Sequence, residues 1–85
     1  MNKLLVFTAE WCRPCKRLKT NISRLHPSLH YLVKTYDIDV RQEDAIRYKV
    51  EVVPTLITLD EAGKEVSRRL GIQSTEQLEQ LIRNV

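Results

Sequence analysis

The sequence is poor in the residues that staple or punctuate small proteins: it has two cysteines, two glycines and three prolines. Two cysteines are too few for the crosslinked framework that small secreted domains use in place of a core. The longest unbroken apolar run, Leu4–Phe7, is far too short to span a bilayer. Met1-Asn2-Lys3 ahead of that run looks superficially like a secretory leader, but polar Thr8 and Glu10 follow at once. A cytoplasmic chain, with no membrane partner and a fold that begins almost at residue 1, is the expectation. Linkers, repeats and low-complexity tracts are missing too, and 42% hydrophobic residues exclude general disorder. The charge is only mildly positive, at +3. Without a groove-reading motif or a basic face interleaved with aromatics, nucleic acid is not an expected partner. What remains is one domain, residues 1–85, near the lower size limit for folding without staples.

The pattern along the chain predicts alternating strands and helices. "KLLVFT" (residues 3–8) is apolar without alternation, as in a strand buried on both faces. Cys15, Leu18, Ile22 and Leu25 then fall on one helical face, with Pro14 in the first turn and Pro27 ending the helix at about His26. "YLVKTYDID" (31–39) reads as a second strand. Asp39 is placed to cap a short helix over about 41–49, with Ala45 and Ile46 inward and Gln42 in a capping box. "PTLITL" (54–59) and "EVSRRL" (65–70) are two strands joined by a turn at 60–64. Ser74 and Gln77 open a last helix with Leu78, Leu81, Ile82 and Val85 inward. The order β-α-β-α-β-β-α gives a four-stranded mixed sheet with helices on both faces, its first crossover parallel and right-handed.

Both cysteines lie in "TAEWCRPCKRLK" (8–19), where the first strand gives way to the first helix. Cys12 is expected at the helix tip, its sulfur facing free N–H groups and the positive end of the dipole, which favour a thiolate. Cys15 is one turn further, on the inward face. An exposed, nucleophilic Cys12 and a sheltered Cys15 are the geometry of a two-step exchange. Cys12 forms a mixed disulfide with a substrate, and Cys15 then resolves it. Arg13, Lys16, Arg17 and Lys19 crowd the first turns, against the dipole. Arg13, between the cysteines, is expected to hold a nearby sulfur ionised, so the Cys12 thiol is expected to titrate lower than in an Arg13→Gly variant.

Three other readings stay open. A structural crosslink over so short a loop removes little unfolded-state entropy. Cys12, Cys15, His26 and His30 read C-x2-C-x10-H-x3-H, near zinc-finger spacing, but Pro27 breaks the segment that would carry both histidines. A binding module with an incidental cysteine pair is the third.

The segment "AEWCRPCKRL" (9–18) closely resembles the active-site segment of thioredoxins. "YDID" (36–39), "YKVEVVPT" (48–55), "LDEAGKEV" (59–66) and Gly71 continue the likeness over essentially the whole chain. The resemblance implies a thioredoxin-like α/β fold and a dithiol–disulfide oxidoreductase that reduces protein disulfides. It implies catalytic Cys12 and Cys15, with Trp11 shielding the disulfide and Pro14 setting its redox potential beside Arg13 and Lys16. Trp11, Val53, a cis Pro54, Gly71 and Ile72 would form the substrate groove, Val53 offering its backbone to a substrate strand. Disulfide-containing proteins and a thioredoxin reductase are the implied partners. The active form is expected to be a monomer without metal or organic cofactor.

The departures from the family pattern are specific. The chain starts at what resembles the family's second strand, so the sheet has glutaredoxin size and lacks the first strand and helix of full-length members. Val6 stands where the family has a buried aspartate, and Thr35 where it has the companion lysine. Arg13 replaces a glycine, and Val52 stands where many members have a small residue. A thiolate-stabilising Arg13 favours the dithiol and so a more oxidising pair. A glutathione-dependent, glutaredoxin-like enzyme or a thioredoxin-fold binding subunit are the alternatives. "LGIQSTEQ" (70–77) has no acidic residue capping the last helix and speaks against the former.

Overall fold

The computed structural model describes residues 1–84. Strands β1 (Lys3–Thr8), β2 (Val33–Asp37), β3 (Thr55–Leu59) and β4 (Glu65–Leu70) form one sheet in the order β2-β1-β3-β4. β1 pairs parallel with β2 and antiparallel with β3, and β3 pairs antiparallel with β4. Helices α1 (Arg13–Ser23), α2 (Gln42–Arg47) and α3 (Thr75–Arg83) complete the expected order, with a 3-10 helix, Pro27–Leu32, added before β2. The mixed four-stranded sheet and three α-helices are those of a thioredoxin-like α/β fold.

β1 is central because both its faces are apolar. Leu4, Leu5, Val6 and Phe7 are each at most 4% exposed. Successive side chains point to opposite faces. Leu4 and Val6 pack with Leu18, Leu25, Leu56, Leu78 and Ile82 under α1 and α3. Leu5 and Phe7 meet Ile57, with Tyr36, Ala45, Tyr48 and Val50 against them on the opposite face. Each large side chain fully buried this way stabilises the fold by about 1.5–3 kcal/mol. At the end of the chain, Gln77 N–H donates to Ser74 Oγ (3.1 Å) and Ser74 N–H to Gln77 Oε1 (2.8 Å), the reciprocal cap read from the sequence. Leu78 and Ile82 are buried and Leu81 partly so, while Val85 lies outside the described residues.

Element boundaries depart from the pattern where local chemistry intervenes. α1 ends at Ser23, not His26. A residue before proline is driven out of the helical region, and His26 adopts ψ 136° and caps the 3-10 helix, its Nδ1 accepting from Ser28 N–H at 3.1 Å. That helix takes Tyr31 and Leu32, so β2 starts at Val33. β2 stops at Asp37, whose Oδ1 accepts from Asp39 N–H at 2.8 Å. Asp39 does not cap α2: its carboxylate is taken by Trp11, Arg41 stands at the N-cap without a side-chain capping bond, and Gln42 Nε2 reaches only Asp39 O (3.3 Å). α2 ends at Arg47 because Lys49 turns left-handed (φ 55°) and Val50 N–H closes back onto Ala45 O at 2.9 Å. Ile46, expected inward, is 76% exposed, since Ala45, Tyr48 and Val50 already fill that face. Pro54 precedes β3 rather than opening it.

β4 is tied to the end of α2 by Arg68. Its guanidinium pairs with Glu65 at 3.0 Å and donates to Tyr48 O at 2.7 Å. No helix among the described residues is long and apolar enough to cross a membrane.

Candidate functional site

β1 ends at Thr8, and the chain reaches α1 through Ala9–Cys12, with Cys12 N–H returning to Ala9 O at 3.1 Å. This turn sets Cys12 at the N-cap of α1, where its sulfur accepts from Cys15 N–H at 3.2 Å. Sulfur so placed meets an otherwise unpaired helix N–H and the positive end of the dipole. The two cysteines are joined as a disulfide, their Cα atoms 5.3 Å apart. Tip and next turn are therefore as the spacing predicts.

Exposure is not. Cys12 was expected open and Cys15 sheltered, yet both are 4% exposed. Cys12, Cys15 and Ala9 form one small cluster, with Ile38 and Val53 packed against it, and this covers Cys12 as well. Cys15 borders a cleft of about 460 Å³, shared with Glu10, Lys16, Lys19, Thr35 and Asp37.

Around the pair, Trp11 is 68% exposed and so is not a core residue. Its indole N–H donates to Asp39 Oδ2 at 3.0 Å, which anchors the ring toward the chain beyond β2. Arg13, Pro14 and Lys16 are exposed on the first turn and a half of α1, which has no acidic residue in its first turn. Each cation there opposes the dipole by about 0.3–1 kcal/mol. The Val53–Pro54 peptide is cis, Pro54 is buried, and Val53 touches the cysteine cluster. Gly71 N–H donates to Pro54 O at 2.9 Å, so the end of β4 converges on the same place. Ile72, next along, and Val52 are partly exposed.

On β1, Val6 is fully buried among leucines and sits opposite Thr35 on β2. The buried polar residues described are Asn2, Thr55, Thr58 and Gln73, so none is a carboxylate. Among the described residues no group of His, Cys, Asp and Glu could hold a metal ion. His26 is bound to Ser28 and His30 to Leu25 O, which leaves the zinc reading without its ligand set.

Sequence reasoning missed Asp39 as the partner of Trp11, because an Asp before a short helix reads as a cap. It also missed Ile38 in the cysteine cluster, and Glu10 and Asp37 in the cleft beside Cys15. Asp37, Ile38 and Asp39 reach the site from the end of β2, and such contacts have no local signature.

The family model described as Thioredoxin matches residues 1–84. The chain is 40% identical over 80 residues to a thioredoxin of Chlamydia trachomatis, covering 93% of this chain and 78% of that protein. It is 37% identical over 82 residues to an H-type thioredoxin of Fagopyrum esculentum, covering 93% and 70%. Among solved structures, thioredoxin of Fasciola hepatica superposes with a TM-score of 0.81 at 29% identity, covering 99% of this chain and 81% of that one.

Proposed function

The chain belongs to the thioredoxin family and is a dithiol–disulfide oxidoreductase; from that premise we propose that it reduces disulfides in other proteins, drawing electrons from a thioredoxin reductase. The observation that carries this reading is the sulfur of Cys12 at the tip of α1, with Cys15 one turn beneath and bonded to it.

In the reducing direction the Cys12 thiolate attacks one sulfur of a substrate disulfide. The substrate S–S bond breaks, one substrate thiolate leaves, and a Cys12–substrate bond forms. The Cys15 thiolate then attacks Cys12 Sγ, expelling the second substrate thiolate and closing the Cys12–Cys15 bond. Two electrons pass to the substrate, which takes its protons from solvent. Helix N–H groups and Arg13 favour ionised Cys12. Lys16 and Pro14 tune the pair, and Trp11 screens it on one side. Val53, beside cis Pro54, offers its backbone to an extended substrate segment, and Gly71 and Ile72 complete the groove. Cys15, bordering a polar cleft and lacking a buried carboxylate partner, loses its proton to that cleft. The sulfurs carry the chemistry, so the active protein needs no metal or organic cofactor. It acts as a monomeric single domain in the cytoplasm.

The test is reduction of a protein disulfide driven in turn by dithiothreitol, by NADPH with thioredoxin reductase, and by glutathione. Turnover with the first two supports the proposal. Turnover with glutathione alone assigns a glutaredoxin-like enzyme instead, and no turnover with any donor refutes the reading.

A further inference from the structure

The charge of the chain is segregated. Residues 13–24, α1 and its cap, hold five cations (Arg13, Lys16, Arg17, Lys19, Arg24) and no anion. The rest holds nine cations against eleven anions, a net charge of −2. All five cations are exposed, and none joins an ion pair found among the described residues.

Four of the five also share a face. Arg13, Arg17 and Arg24 stand at i, i+4 and i+11, within about 40° of one another around the helix, and Lys16 lies about 60° to one side. The stripe runs about 16 Å from the disulfide to the end of α1. Its lower part is a groove of about 420 Å³ lined by Lys16, Arg17, Thr20, Asn21 and Arg24. Like charges at i, i+3 and i+4 repel, and cations in the first turns oppose the dipole, so most of this arrangement works against helix stability. Tuning of Cys12 accounts for Arg13 and Lys16 alone. Arg17 and Arg24 lie about 8 and 18 Å along the helix axis from Cys12, where exposed charge is increasingly screened.

We propose that this stripe is a docking surface for acidic polypeptide, and that the preferred substrates carry a run of Asp or Glu beside the disulfide to be reduced. The inference rests on the reductase reading above and names its substrate class. A single small anion would use a fraction of the stripe, whereas an extended acidic segment matches its length and leads directly to Cys12. Nucleic acid fits less well. Residues 13–24 hold no aromatic side chain on which bases could stack between the cations. Charge complementarity of this kind acts mainly on the rate of encounter and weakens with salt.

The experiment uses two synthetic peptides with the same internal disulfide, one flanked by glutamates and one by lysines, reduced by the protein with dithiothreitol as donor. The expected result is a kcat/KM about tenfold higher for the acidic peptide at low ionic strength, with the ratio approaching unity near 0.5 M salt. Arg17→Glu/Arg24→Glu removes or reverses the preference. It leaves reduction of the uncharged 2-hydroxyethyl disulfide at the parent rate, which shows that the variant is folded and active. Equal rates on both peptides, or a preference that survives the double variant, overturn the proposal while the reductase reading stands. Failure to reduce either peptide or the small disulfide strikes the reductase reading instead. A single-stranded oligonucleotide that displaces the acidic peptide at physiological salt also overturns the proposal, since the stripe then belongs to nucleic acid.

Discussion

Gly71 donates its backbone N–H to the carbonyl of Pro54 at 2.9 Å, and it does so with φ at +85°. The bond links the end of β4 to the turn before β3. A Cβ built on Gly71 meets nothing within 4 Å, so the position needs glycine for its backbone and not for space. Gly71→Ala is therefore expected to lower the unfolding free energy by about 1–2 kcal/mol, and Gly71→Asn by less, since asparagine tolerates this region better. Denaturant unfolding of both variants checks the order; equal losses would mean that sterics decide.

Cys12→Ser is expected to abolish disulfide reduction. Cys15→Ser is expected to accumulate a covalent mixed disulfide with its targets, seen by mass spectrometry under non-reducing conditions. Turnover of Cys15→Ser at the parent rate would deny Cys15 the resolving role.

Arg13→Gly tests the cation between the cysteines. The rate of Cys12 alkylation against pH is expected to shift to higher pH in the variant, because the thiolate loses a neighbouring positive charge. An unshifted profile assigns Arg13 to the docking stripe alone.

Val6→Asp places a carboxyl on β1, two residues before the strand ends at Thr8. Val6 is fully buried among leucines, so the variant is expected to lose about 3 kcal/mol of stability from lost packing and an unpartnered polar group. If the missing carboxylate limits Cys15, the resolving step measured by stopped flow speeds up nonetheless. An unchanged rate means the cleft beside Cys15 already serves its proton.

Glu65 and Arg68 supply a pH dependence. The bond from Arg68 holds the Glu65 carboxyl below its usual range, against a smaller opposing effect of burial. A lowered folded value means that the stabilisation is present above the unfolded carboxylate pKa and is lost as pH falls through the lowered folded one. Both side chains are partly exposed, so the pair itself is worth only about 0.3 kcal/mol. Arg68→Gln is expected to cost more, about 1 kcal/mol, since its bond to Tyr48 O is lost as well. Thermal melts near neutral pH and near pH 3 separate the two: the cost of Glu65→Gln vanishes in acid, while most of that of Arg68→Gln persists.

The legible parts of this protein were those with a local cause. The apolar run of β1, the stripe of α3, the Ser74–Gln77 cap and the placement of Cys12 at a helix tip each follow from a few neighbouring residues. The illegible parts are contacts at long range. Asp39 could have capped α2 by its sequence neighbours, and only the fold brings Trp11 to compete for it, 28 positions away. Cys12 should be open by its place in the chain, and only the approach of Ile38 and Val53 covers it. The stripe on α1 is visible as a charge run, but whether its cations are ion-paired depends on where the fold sets the carboxylates, and none of the ion pairs among the described residues includes them.

The sulfur that reacts is also the group that satisfies the first turn of α1. Deleting it with alanine would confound chemistry with architecture, because an uncapped helix start forfeits about 1 kcal/mol. Serine leaves an acceptor in the same spot. The inert form best suited to structural work is thus the hydroxyl variant, and a larger loss of thermal stability in the alanine form would mark how far the helix leans on its own nucleophile.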